Sequence, residues 1–139
     1  MKSFRTSRIV EFGETDMAGI VHFSNFFRYM ESAECAFLRS LGLGVKIDWE
    51  GQDLGFPRVA ANCDYLSPAR FEDLLDVEVN TVRIGEKSVT YGFDFSRRGD
   101  PIARGKVTSV CCRVLGDHKW ESIAIPASYR ARLEPYLQM

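Results

Sequence analysis

The sequence predicts an α+β fold: one strand, one long apolar helix, then four strands that neighbour one another mostly antiparallel. Three observations predict it. Apolar residues recur at helical spacing through Phe23, Phe26, Phe27, Met30, Ala33, Phe37, Leu38 and Leu41. They alternate with polar ones through Leu75, Val77, Val79 and Val82, and again through Val89, Tyr91, Phe93 and Phe95. Turn residues, Gly85-Glu86 and Arg98-Gly99-Asp100-Pro101, separate these runs.

Each element follows in order. "FRTSRIVEF" alternates as a strand, with Phe4, Ile9 and Phe12 bracketing polar residues. A loop from Gly13 to Gly19 leads to the helix, for which Ser24 is the expected N-cap and Gly42 or Gly44 the stop. Tyr29 and Ala36 widen its apolar surface, and Arg28, Glu31, Ser32 and Arg39 keep a narrow polar edge. "VKIDWEGQDLGFP" reads as a connection with one short helix. "RVAANCDYLS" is a strand broken by Pro68, and "PIARGKVTSVCCRVLG" one long final strand. "PASYRARLEPYL" is a short closing helix with Pro126 near its start. A single helix on one curved sheet leaves an apolar edge or face, which argues for a partner subunit.

The 139 residues suit one domain, and 45% hydrophobic content is enough for a core. Lys plus Arg number 18 and Asp plus Glu 19, a balance that argues against nucleic-acid binding. It leaves room for a local basic patch toward one phosphorylated ligand. No apolar run reaches membrane-spanning length, and the N-terminus has no apolar signal core, so no membrane partner is expected. Cys35, Cys63, Cys111 and Cys112 form no C-x-x-C pair, and the last two should point to opposite faces of a strand. With only His22 and His118 beside them, a disulfide framework or metal site is not expected, and the chain reads as cytoplasmic.

The stretch "GETDMAGIVHF" holds Asp16 in an otherwise apolar turn that runs into a helix N-terminus. Taken alone, Asp16 there is most often an Asx-turn or capping residue. The wider stretch "EFGETDMAGIVHFSNFFRYMESAECAFLRSLGL" closely resembles the 4-hydroxybenzoyl-CoA thioesterase family, in the order Asp16, Gly19, Ile20-Val21, His22-Phe23, helix. "GFPRVAANCDYLSPARFEDLL" and "IAIPASYRARL" carry the resemblance more weakly over nearly the whole chain. It implies a hotdog fold: a single domain over residues 1–139, with one long central helix wrapped by a curved antiparallel sheet of about five strands. It also implies a homodimer or homotetramer with the pocket between subunits.

The chemistry suits the place. A thioester carbonyl needs its oxygen polarised while its carbon is attacked, and a helix N-terminus offers unpaired N–H groups and partial positive charge. By resemblance, Asp16 is the catalytic carboxylate, as nucleophile or general base, Gly19 turns the loop back, and the Phe23 backbone N–H polarises the carbonyl. Glu31 aligns with a helix acid that meets an aromatic hydroxyl, which keeps hydroxybenzoyl-like or dihydroxynaphthoyl-like acyl groups open beside short-chain ones. Phe56 and Pro57 would line the acyl pocket opposite another copy's Asp16. Arg83, Lys87 and Ser88 fall in the family's basic hairpin, the coenzyme A site, although Gly85 and Glu86 replace its adjacent arginines. Arg97, Arg98, Arg104 or Lys106 could substitute. No cofactor is implied, since coenzyme A is part of the substrate. Two rivals stand beside an acyl-CoA thioesterase: a hotdog dehydratase or hydratase using His22 with Glu31 or Glu34, and a non-catalytic acyl-CoA-binding hotdog.

Overall fold

The computed structural model describes residues 1–138. In chain order the elements are β1 (Phe4–Ile9), a 3-10 turn (Phe12–Glu14), α1 (Asn25–Ser40), β2 (Lys46–Trp49), β3 (Gln52–Gly55), β4 (Arg58–Tyr65), β5 (Leu74–Ile84), β6 (Ser88–Arg97), β7 (Asp100–Val110), β8 (Cys112–Gly116), β9 (Lys119–Ser122) and α2 (Ala127–Leu133). Five strands form one antiparallel sheet in the order β1-β5-β6-β7-β4. The other four form a smaller sheet, β2-β3-β8-β9.

The helix expected to be long and central is the 16-residue α1, packed on one face of the five-stranded sheet. Its inward stripe of Phe26, Met30, Ala33 and Phe37 is buried against Leu75, Val77 and Val79 of β5 and Val89, Tyr91, Phe93 and Phe95 of β6. The alternation expected for β6 is therefore seen, because one face of that strand is the core. Edge-on ring contacts, Phe26 on Phe95 and Phe37 on Tyr91, pin both ends of the helix to β6. Helix and sheet pack tightly at Gly105 of β7, where a Cβ would stand 2.3 Å from Met30 Sδ. A larger residue there would have to displace the Met30 side chain. The helix ends at Gly42, whose φ of +72° supplies the left-handed turn expected there.

Several expectations are corrected. The segment after α1 contains no helix; it folds as the β2–β3 hairpin, in which Lys46 pairs Gly55 and Trp49 pairs Gln52. Its strands are four residues each, too short for alternation to stand out. The long final strand divides at Cys111: β7 stays in the large sheet, while β8 leaves it for β3 and β9. Cys111 and Cys112 are both buried, because the chain turns from one sheet to the other between two covered layers. Strand β9 was not anticipated, since all four of its residues are exposed. In β1, Phe4 packs on Phe37 while Ile9 points to solvent; five residues apart, they cannot share a strand face. Ser24 occupies the N-cap position of α1, but its hydroxyl bonds His22 Nδ1 instead of a helix N–H.

Strand β4 is an outer strand of the large sheet, hydrogen-bonded to β7 alone among the described residues. Val59, Tyr65 and the adjacent Leu66 are exposed beside that open edge. An unpaired edge with apolar neighbours is a ready template for a further strand.

Candidate active site

The loop before α1 is a small closed hairpin. Thr15 bridges Val21, Asp16 N–H donates to Ile20 O at 2.8 Å, and Gly19 N–H donates to Asp16 O at 3.0 Å. Gly19 takes φ +79°, the left-handed conformation that closes the turn, with open space around it. Ala18 N–H donates to Asp16 Oδ1 at 2.8 Å, an Asx turn. The bland reading of Asp16 is thus right about one oxygen. Oδ2 has no hydrogen-bond partner among the described residues.

Glu14 fastens this loop to the body. Its carboxylate accepts from Arg8 at 2.5 Å, Tyr29 at 2.8 Å and its own turn's Glu11 N–H at 2.8 Å. Its carbonyl accepts from His22 N–H and the Asn25 side chain. Arg8 also lies over the Tyr29 ring, 4.8 Å from its centre. Burial raises the Glu14 pKa, but the bonds from Glu11 N–H, Tyr29 and Arg8 outweigh it, so the carboxyl titrates below its ordinary 4.5. The sign is that of a depressed acid. Its stabilisation is complete above the unfolded value and is lost as pH falls through the folded one. The melting temperature should therefore drop below about pH 4.5, and Glu14→Gln should flatten that acid limb in a thermal-melt series. An unchanged limb in the variant would show that Glu14 does not anchor the loop.

Asp16 lines a cleft of about 510 Å³ with Ile20, Val21, Phe23, Phe26 and Tyr65, and the segment Leu66 to Ala69 lines it as well. The lining is mainly apolar apart from Asp16 and a few hydroxyls, the character expected of a pocket for an organic group. Phe23 stands two residues before α1, and among the described residues its N–H has no hydrogen-bond partner. Tyr65 Oη donates to Phe23 O at 2.9 Å, and its ring meets Phe26 edge-on. This tyrosine, missed by the sequence reasoning, fixes the peptide next to Phe23. Val21 N–H donates to Ala69 O, which ties the loop to the segment after β4.

One chain brings together Asp16, Gly19 and Phe23 and holds the other expected site residues elsewhere. Glu31 is exposed farther along α1. Phe56 is buried and stacked on Tyr129 at 4.8 Å, and Pro57 beside it is exposed. Arg83 and Lys87 are exposed, and Ser88 half-buried, at the tip of the β5–β6 hairpin. That tip is remote from the cleft. Ser88 pairs Val110, whereas Phe95, which touches Phe26, pairs Ala103. The seven steps from Ser88 to Phe95 span about 23 Å of extended chain. His22 is exposed, stacks on Phe23 and bonds Ser24; it does not line the cleft. Glu34 is buried and paired with Arg58, and among the described residues its Oε2 has no hydrogen-bond partner. Burial raises the Glu34 pKa despite that arginine.

Comparison with known proteins assigns the family. Residues 10–133 match the Thioesterase-like superfamily. The 1,4-dihydroxy-2-naphthoyl-CoA hydrolase of Prochlorococcus marinus (strain NATL2A) is 31% identical over 110 residues, 74% of this chain and 71% of that protein. A gentisyl-coenzyme A thioesterase superposes with a TM-score of 0.79 at 29% identity, over 94% of this chain and 99% of that one. The 1,4-dihydroxy-2-naphthoyl-CoA thioesterase of Synechocystis shares the fold, with a TM-score of 0.82 at 23% identity over 95% and 96% of the two chains. The chain belongs to the thioesterase-like superfamily and is, by that membership, a thioester hydrolase of the hotdog type.

Proposed function

We propose that this protein hydrolyses the coenzyme A thioester of a hydroxylated aromatic acid, with Asp16 as its catalytic carboxylate. One observation carries the reading: Asp16 and Phe23 line the same apolar cleft, and among the described residues one carboxylate oxygen of Asp16 and the N–H of Phe23 have no hydrogen-bond partner. The N–H polarises the thioester carbonyl, and developing negative charge on its oxygen is met at the N-terminal end of α1. The carboxylate either attacks the carbonyl carbon or takes a proton from the water that does. The thiolate of coenzyme A leaves, and the acid is released. Relatives that act on dihydroxynaphthoyl and gentisyl thioesters support an aromatic acyl group.

A second copy completes the site in this reading. Helix α1 runs opposite to β4, from Phe26 beside Tyr65 to Glu34 beside Arg58. A two-fold axis through the open edge of β4 would set the Arg58 end of one copy against the Tyr65 end of the other. Phe56, Pro57 and the Arg83–Ser88 hairpin sit at the Arg58 end, since Val110 N–H donates to Pro57 O and Cys111 N–H to Lys87 O. Their basic groups then face the cleft from across the axis, where coenzyme A phosphates need them. The helix acid Glu31 is on the same flank as Glu34, open to the other copy's acyl group. No cofactor takes part, and four free cysteines suit a reducing cytoplasm.

The geometry favours hydrolysis over dehydration: His22, which a dehydratase needs, is outside the cleft and Asp16 is in it. Thiol release from hydroxybenzoyl, gentisyl, dihydroxynaphthoyl, benzoyl and aliphatic coenzyme A esters tests the reading. The hydroxylated aromatic esters should show the highest kcat/KM. Binding of these esters without release from any of them would leave a binding module instead.

A further inference from the structure

The β5–β6 hairpin tip is held in an unusual way. Exposed hairpin turns generally leave their carbonyls to water. Here all three carbonyls of the Gly85-Glu86-Lys87 turn are bonded to the body of the protein. Arg130 of α2 donates to Gly85 O at 2.5 Å and reaches Glu86 O at 3.4 Å. Ile125 N–H donates to Glu86 O at 2.9 Å, and Cys111 N–H to Lys87 O at 2.7 Å. In a planar trans peptide the N–H points opposite to the C=O. With the carbonyls of Gly85 and Glu86 turned toward α2 and the segment before it, the N–H groups of Glu86 and Lys87 must face away. Among the described residues neither has a hydrogen-bond partner. The outer side of the turn thus carries two free N–H groups, one of them that of the exposed Lys87, a lining suited to phosphate oxygens.

We infer that Arg130 is a positioning residue for the coenzyme: its guanidinium bonds the two turn carbonyls and so aims the Glu86 and Lys87 N–H groups, with Lys87, at the phosphates of the thioester. This rests on the hydrolase reading above and deepens it. Arginine suits the task because its planar fork presents several donors at fixed angles, whereas lysine presents a single ammonium. It also explains how a turn with Gly85 and Glu86 in place of adjacent arginines can serve a phosphorylated ligand: backbone donors take over from side-chain charge.

The test compares one acyl group on two carriers, coenzyme A and N-acetylcysteamine, which has no phosphates. For Arg130→Met, KM for the coenzyme A thioester should rise about tenfold with kcat unchanged. The kcat/KM for the N-acetylcysteamine thioester should stay at the wild-type value. Arg130→Lys, which keeps one cationic donor, should fall between, and it serves alone if the methionine variant does not fold. Equal losses on both carriers would mean that Arg130 only supports the fold, and no loss on either would mean that the turn needs no such support. If the wild type hydrolyses neither thioester, the hydrolase reading fails separately. The Kd of coenzyme A, measured by calorimetry, then decides the role of Arg130: equal values for wild type and variant overturn it.

Discussion

Asp16→Asn should lower kcat for the preferred coenzyme A thioester by about a thousandfold, within the range set by removing a positioned acid–base group. The substitution is clean because the two jobs of Asp16 fall on different oxygens. Asparagine keeps Oδ1 as an acceptor for the Ala18 N–H, so the Asx turn survives. What disappears is the negative charge at the free oxygen, which neither attacks a carbonyl nor takes a proton as an amide. Stability should remain within ~0.5 kcal/mol of wild type, as for exchanges that break no buried contact. KM should change little, since the apolar walls remain. Steady-state thiol release with a thermal melt checks all three. A variant with most of its turnover intact would remove Asp16 from the chemistry.

The second large effect should come from the Phe23 peptide. Phe23→Pro deletes the N–H assigned to the carbonyl oxygen, and kcat should fall by about a hundredfold or more, the loss seen when one oxyanion donor is removed. Phe23→Ala keeps that N–H and loses only a piece of the cleft wall, so it should act mainly on KM. The contrast between the two variants isolates the backbone group from the ring. Because Tyr65 bonds the carbonyl of the same residue, the melting temperature of both variants must be measured beside the kinetics. Equal drops in kcat for proline and alanine would assign the effect to the aromatic ring.

Much of the large sheet was legible because β6 buries one whole face, which writes period-two alternation into Val89, Tyr91, Phe93 and Phe95. The helix was legible for the same reason at its own period. The smaller sheet was not. Its strands β2 and β3 are short and largely polar, β9 is exposed throughout, and β8 continues β7 without any turn residue at Cys111. Nothing local announces that the chain changes sheets there. The candidate site divides along similar lines. Asp16, Gly19 and Phe23 lie within one contiguous motif, and the structure sets them around one loop and cleft. Tyr65 reaches Phe23 from 42 residues away, and Glu14 is held by Arg8 before the loop and Tyr29 after it in the chain. Such partners are invisible before the fold exists. Glu34 is a similar case: the sequence offers it only as a dehydratase acid beside His22, and Arg58 on β4 is what pairs it where it is buried.

The central claim is that Asp16 and the basic hairpin serve one active site from two copies of the chain. It is tested most directly by subunit mixing. Asp16→Asn carries an intact hairpin, and an Arg83→Ala, Lys87→Ala double variant carries an intact Asp16. Each alone should be nearly inactive at substrate concentrations far below KM. Co-expressed in equal amounts, they should form mixed pairs in which one of the two sites has both halves intact. About half of random pairs are mixed, so about a quarter of wild-type activity should return. A co-expressed sample no more active than the sum of its separate parents would contradict the shared site.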